Sequence, residues 1–310
     1  MSLRTLALDW QIDTSAAALL AQLAAVAALY LAAVWRGNRR RPPARRWPRH
    51  HTICFLAGLG AAAIDLCSGI GTEADTRLSA HMLEHMILWT IVAPLIAAGA
   101  PVRLAFHSLS RSGRRRLAQC LHSRTVSALT TPVGSVSVFS AVILLTHIPA
   151  VYGLALSNEL LHETEHALCL LSVLLVWAPV IGADPLPNRP GARGQVLCMT
   201  ACMLPMALIA IWLARAGSPL YRHYVAQLGP QALNDQRLAA TIMWAGTLPA
   251  PRYPHTRTCM DSAATTPPSR PSTACRGLTA GRPRMQYPAD ATLEPMPTPT
   301  RKPIHPNNHG

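Results

Sequence analysis

The sequence predicts an all-α, polytopic membrane helix bundle. Half of the 310 residues are hydrophobic and only 14% are charged. The apolar residues gather in runs of about 20, the length a helix needs to cross roughly 30 Å of hydrocarbon. Arginines crowd the gaps between those runs, where the loops of membrane proteins lie. The charge is lopsided, 28 Lys+Arg against 14 Asp+Glu. Placed between apolar runs, this excess argues for a membrane surface and against a nucleic-acid partner.

Seven candidate spans follow in order. The first, Ala16 to Trp35, is nearly pure Ala, Leu and Val. It is too long for the core of a cleavable leader, has no basic segment beside it and is followed by arginines, so it reads as a span. The second, about Thr52 to Ile70, holds Gly58, Gly60 and an alanine triplet, small residues that let helices approach closely. The third, about Ser79 to Gly99, contains Pro94, a kink that neighbouring helices can accommodate. The fourth runs from about Val133 to Leu156 with His147 and Pro149 inside; the fifth from Leu161 to Ile181; the sixth from Gln195 to Ala214. The seventh starts at Leu238 and stops near Pro249, short of a full crossing.

From there the chain changes character. Residues 250–310 are rich in Pro, Thr and Arg without apolar periodicity. Such a segment buries too little apolar surface to offset its ordering entropy. The expected division is a transmembrane domain over 1–249 and a disordered tail over 250–310. A break inside a span suggests a change of reading frame, which predicts more apolar helix in another frame of the DNA after Leu248.

Arginine content sets the expected orientation. The loops after the first, third and fifth spans hold Arg36 to Arg49, Arg103 to Arg124, and Arg189 with Arg193. The alternate loops hold Arg77, then none, then Arg215, Arg222 and Arg237. The N-terminus is therefore expected outside and the Arg-rich loops in the cytoplasm.

The chemistry lies in a motif that occurs twice. His81-Met-Leu-Glu84-His85 and His162-Glu-Thr-Glu165-His166 both read H-x-x-E-H, and both open an apolar run. Residues four apart share a helix face, so each box offers two imidazoles to one ion with a carboxylate beside them. Ionisable groups inside membrane spans are costly and mark function by default. The expected topology brings both boxes, His147 on span four, and Asp65 and Cys67 on span two to one extracytoplasmic depth. Imidazole suits Zn, Cu, Fe and Ni, whereas thioether and thiolate favour Cu(I). Met82 and Met86 run beside the first imidazoles as soft company. Glu84 and Glu165 are candidates for direct ligation or for orienting an imidazole. Cys67 is a weaker candidate, since a buried cysteine is more often a small hydrophobe. A lone His147 would ordinarily be a hydrogen-bonded core residue. Two boxes at matching depth are harder to explain so. The eight cysteines contain no C-x-x-C pair, which argues against a disulfide framework or zinc ribbon. Cys198 and Cys202 read as packing, and His223 as a candidate cap for the site.

H-x-x-E-H also marks one class of zinc peptidases, with the glutamate as general base. That class uses one box and a distant carboxylate. Membrane di-iron hydroxylases use related boxes but add H-x-x-H-H, which is not in this sequence. A haem held between facing histidines is a further alternative.

The run Ser79-Ala-His-Met-Leu-Glu-His-Met-Ile-Leu, with Ala93-Pro-Leu and Gly99-Ala-Pro101, resembles the CtaG-type cytochrome c oxidase assembly factors of bacteria. So do His147-Ile-Pro-Ala-Val-Tyr152, the second box, Trp177-Ala-Pro179, Pro219-Leu-Tyr221, Asp235-Gln236 and Met243-Trp244. The resemblance covers about Ala16 to Leu248. It departs at Thr146, where an aromatic residue is common in the family, and at the shortened seventh span. It implies a seven-helix fold in the bacterial plasma membrane and a role in maturing a haem–copper oxidase. It also implies copper as the metal, ligands His81, His85, His147, His162 and His166, and oxidase subunits as partners. The expected role is thus a copper-handling assembly factor and not an enzyme, with a metalloenzyme or haem protein as alternatives.

Overall fold

The computed structural model describes residues 14–39 and 41–246. The expected tail, the end of the seventh span and residues 1–13 lie outside the described residues. Among the described residues, every regular element is a helix.

α1 is Thr14–Arg39, α2 is Arg49–Cys67 and α3 is the short Gly69–Ala74. The third span is one apolar run, Leu78–Ser108, made of several pieces. α4, Leu78–Ile87, passes through a π-turn at Leu88–Val92 into α5, Ala93–Ala98, and then α6, Pro101–Ser108. Two short helices, α7 (Arg111–Leu121) and α8 (Arg124–Leu129), carry the basic connection. α9 is Pro132–Thr146, α10 Pro149–Leu156, α11 Glu159–Ile181, α12 Ala192–Arg215, α13 Arg222–Leu228 and α14 Ala232–Ala245. Five helices are long and apolar enough to cross a membrane, six if α9 and α10 count as one broken span. α14 begins earlier than the expected seventh span but has only 14 described residues, about 21 Å at 1.5 Å per residue.

The expected fourth span is not straight. α9 and α10 meet at a 75° bend. Pro149 is the cause. A residue before proline is pushed away from α geometry, and Ile148 is extended at φ −66°, ψ 125°. His147 is left as the cap of α9.

The π-turn in the third span has an equally local origin. The Ala93 N–H bonds to the Leu88 carbonyl, five residues back. In that register the Trp89 carbonyl would receive the N–H of residue 94, which is proline and has none. The indole Nε1 of Trp177, on α11, donates to it instead at 3.0 Å. Beyond, Ala100 caps the start of α6 at φ +50°. His51 Nδ1 donates to the Ala98 carbonyl at 2.6 Å and the Tyr30 hydroxyl to that of Gly99 at 2.7 Å.

The third span sits centrally. α2 packs on one flank, α11 and α14 on others, and α9 lies between α11 and α12. α1 is peripheral, and Leu29 on it is 71% exposed. Leu160, Leu197 and Val133 are likewise exposed around the outside, an apolar belt of the kind lipid covers. The main core gathers side chains of α4, α9, α11, α12 and α14, with Met82, Phe139, Tyr152, Met206 and Met243 fully buried.

Candidate metal centre

Two helix beginnings and one helix end converge. His81 and His85 lie in the first turns of α4, His162 and His166 in those of α11, and His147 caps α9. The start of α4 is tied down from far along the chain. Asp235 on α14 accepts the Ser79 N–H at 3.1 Å and its hydroxyl at 2.6 Å, satisfying an N-terminal donor that would otherwise be orphaned. The next residue, Gln236, accepts from the Leu220 N–H at 2.8 Å and donates to the Leu213 carbonyl at 3.0 Å. The late Asp-Gln pair thus aligns α14, the box helix and the loop carrying Tyr221.

The imidazoles pack ring to ring. His81 Nε2 and His85 Nε2 are 2.8 Å apart. The His85 and His166 centroids are 5.1 Å apart, those of His81 and His162 5.5 Å. Two donor triads result, each with its ligand atoms within 4.8 Å of one another: His81, His85 and His166, and His81, His162 and Glu165. His81 belongs to both.

The glutamates are exchanged between the boxes. Glu84 of the first lies 3.3 Å from His166 Nε2 of the second, and Glu165 of the second lies 3.7 Å from His85 Nε2 of the first. Glu84 is also 3.9 Å from His81 Nδ1, too far for a hydrogen bond, so the ring it holds is that of His166. Glu165 has no hydrogen-bond partner for either carboxylate oxygen although it is 5% exposed.

Those oxygens have company. His81 Nδ1, His147 Nε2 and His162 Nε2 are also buried without a hydrogen-bond partner. Each unsatisfied buried polar atom costs about 1–3 kcal/mol. A cation between His81, His162 and Glu165, whose ligand atoms lie within 4.8 Å of one another, would satisfy three of these residues together. Metal–nitrogen bonds of about 2.0–2.1 Å place two ligands about 2.9 Å apart at a right angle, close to the His81–His85 separation. The residues therefore fit a metal ion bound by imidazole and carboxylate.

A tyrosine cluster backs the site. The Tyr224 hydroxyl donates to the Ala74 carbonyl at 3.1 Å, so the 2.6 Å contact between Tyr152 and Tyr224 has Tyr152 as donor. Tyr221 donates to the His147 carbonyl at 3.0 Å, pinning the residue at the bend. The Tyr152 ring stands edge-on to His81, centroids 5.1 Å apart.

The family model of the cytochrome c oxidase caa3 assembly factors matches residues 28–250. The chain belongs to that family. An uncharacterized protein of Mycobacterium leprae is 27% identical over 222 residues, 67% of this chain and 33% of the relative. The chain thus spans about a third of the length of that relative. No solved structure matches.

Placed within this family member, the sequence candidates divide. His81, His85, His162, His166 and Glu165 form the two triads, with Glu84 behind them. His147 stands apart, its ring 6.4 Å from that of His85. Met82 and Met86 line a neighbouring cavity. The Cys67 thiol lies 4.0 Å from the Ala16 carbonyl, away from the triads. His223 donates to the Asp75 carbonyl at 2.8 Å and does not cap the cluster. Cys198 and Cys202 are buried, as packing requires. The pairing of Ser79 with Asp235, across 156 residues, carried no local signal. Asp65, 1% exposed with both oxygens unpartnered, was visible only as a charge inside an apolar run.

Proposed function

We propose that the chain supports maturation of a caa3-type cytochrome c oxidase by holding copper at the doubled histidine box and passing it on as cargo. The family membership supports the assembly role. One observation carries the metal: buried imidazole nitrogens and carboxylate oxygens on two helices, several of them without a hydrogen-bond partner, converge within ligand distance of one another. His81 is the shared ligand, with His85 and His166 on one side of it and His162 and Glu165 on the other. Glu84 orients His166. Shared, mixed ligation suits release by ligand exchange, and the role is delivery and not turnover of a substrate. The partners are oxidase subunits and membrane lipid, and the place is the bacterial plasma membrane. Arginine asymmetry supports seven spans with the N-terminus and the cluster on the extracytoplasmic side.

A second reading has its own support. His81, His162 and Glu165 make a two-His, one-Glu set, as in catalytic zinc sites. Metal content separates the two: copper favours delivery, zinc or paired iron an enzyme. Ring-to-ring imidazole packing supports an ion over a haem, whose plane would have to part the rings. The test is metal analysis of the purified chain beside its His81→Ala/His85→Ala variant. Copper is expected in the first and reduced in the second, together with oxidase activity in the host membrane. Equal copper in both rules the assignment out.

A further inference from the structure

A second compartment adjoins the histidine cluster. It is a cavity of about 20 Å³ lined by Met82, Met86, Met243, Cys169, His85 and His147, room for roughly one water-sized body. Its donors come from separate elements. Met82 and Met86 each follow a box histidine, so on α4 the thioethers form a stripe next to the imidazoles. Met243 comes from α14, Cys169 from α11 three residues past His166, and His147 from the bend after α9. Trp89 and Phe139, ring centroids 4.4 Å apart, contribute apolar wall.

Methionine is ordinarily good core filling, and its presence alone would mean nothing. His147 changes that. The residue is 4% exposed, and its Nδ1 lies 2.8 Å from the Ile143 carbonyl. A carbonyl only accepts, so Nδ1 carries the proton and Nε2 keeps its lone pair. That Nε2 is buried and has no hydrogen-bond partner. A lone pair beside a small void walled by sulfur and hydrocarbon is met by a soft cation. Thioether and thiol ligands select Cu(I), whereas hard cations keep to oxygen.

We propose that this cavity is a Cu(I) site, ligated by His147 Nε2 and sulfurs of Met82, Met243 and Cys169, separate from the histidine–glutamate cluster. Met86, whose sulfur packs against Gly246, closes the rim. His85 lines both compartments, so one imidazole is the wall between a nitrogen–oxygen site and a sulfur-rich one. The chain would then hold copper in two ligand environments, the softer one deeper among apolar side chains. The proposal goes beyond the cluster reading and does not need the cluster to bind copper.

The test loads the purified full chain with Cu(I) under anaerobic reductant and reads copper-edge X-ray absorption. A chromophoric Cu(I) chelator counts retained ions. The unaltered chain is expected to show a sulfur shell around copper. Met82→Leu/Met243→Leu, which keeps side-chain volume, is expected to lose that shell and one retained Cu(I). His81→Ala/His162→Ala is expected to keep it while losing cluster metal. Copper with only nitrogen and oxygen neighbours in the unaltered chain overturns the proposal, whatever the variants do. So does a double Met variant that keeps the sulfur shell. Loss of the shell in the histidine variant would merge the two sites and overturn their separation.

Discussion

Single side chains in this protein are sorted by who satisfies them. Glu84 and Glu165 sit at equivalent places in their boxes, yet Glu84 bonds the His166 ring and Glu165 has no hydrogen-bond partner. A metal ligand and a residue behind it lose differently on amidation. Glu165→Gln is expected to lower metal affinity more than Glu84→Gln, the latter by roughly ten- to a hundredfold as is usual for outer partners. Competition titration of both variants checks the order. Asp184, in the loop after Ile181, is another buried carboxyl. It accepts the Arg103 N–H at 2.7 Å. Burial pushes it up from 3.8 to about 6, against the pull of the Arg103 and Val102 N–H groups. The folded chain therefore holds this proton more tightly than the unfolded chain. Its contribution to stability is full below pH about 4 and is lost as pH rises through about 6. Asp184→Asn is expected to flatten the thermal stability profile across that window. An unchanged slope would remove Asp184 as its source.

Helices here are held at their ends and at their breaks. The box helix α4 begins on the Asp235 carboxylate, so Asp235→Ala is expected to destabilise the fold by about 1–3 kcal/mol, the cost of orphaning a buried donor. It should also lower metal occupancy by loosening His81, and Asp235→Asn should recover part of both. Parallel thermal melts and metal assays check this. The π-turn depends on a different helper. Trp177→Phe keeps the ring and removes the donor to the Trp89 carbonyl. A loss of about 1 kcal/mol is expected, with the histidine cluster intact. Neither interaction is legible in sequence, because each joins residues 88 or more positions apart. The apolar lengths and the break near Pro94 were legible, because proline acts on its own backbone. The size of the bend at Pro149 was not.

At the scale of the whole molecule the open quantity is sidedness, and a native cysteine reports it. Cys120 on the basic helix α7 is free and exposed. With the Arg-rich loops in the cytoplasm, it is expected to resist a membrane-impermeant thiol reagent in intact cells and to react in inverted vesicles. The reverse pattern would place the histidine cluster on the cytoplasmic side.

The sequence by itself determined that the chain is a helical membrane bundle, where most helices lie, and that each box sets two imidazoles on one helix face. These follow from apolar run length and a fixed helical period, which are local properties. The tertiary structure alone decided that the glutamates serve each other's boxes, that His147 faces a sulfur-lined cavity apart from the triads, and that Asp235 sets the box helix in place. Those are distances between side chains remote along the chain, set by how the helices pack and where they bend.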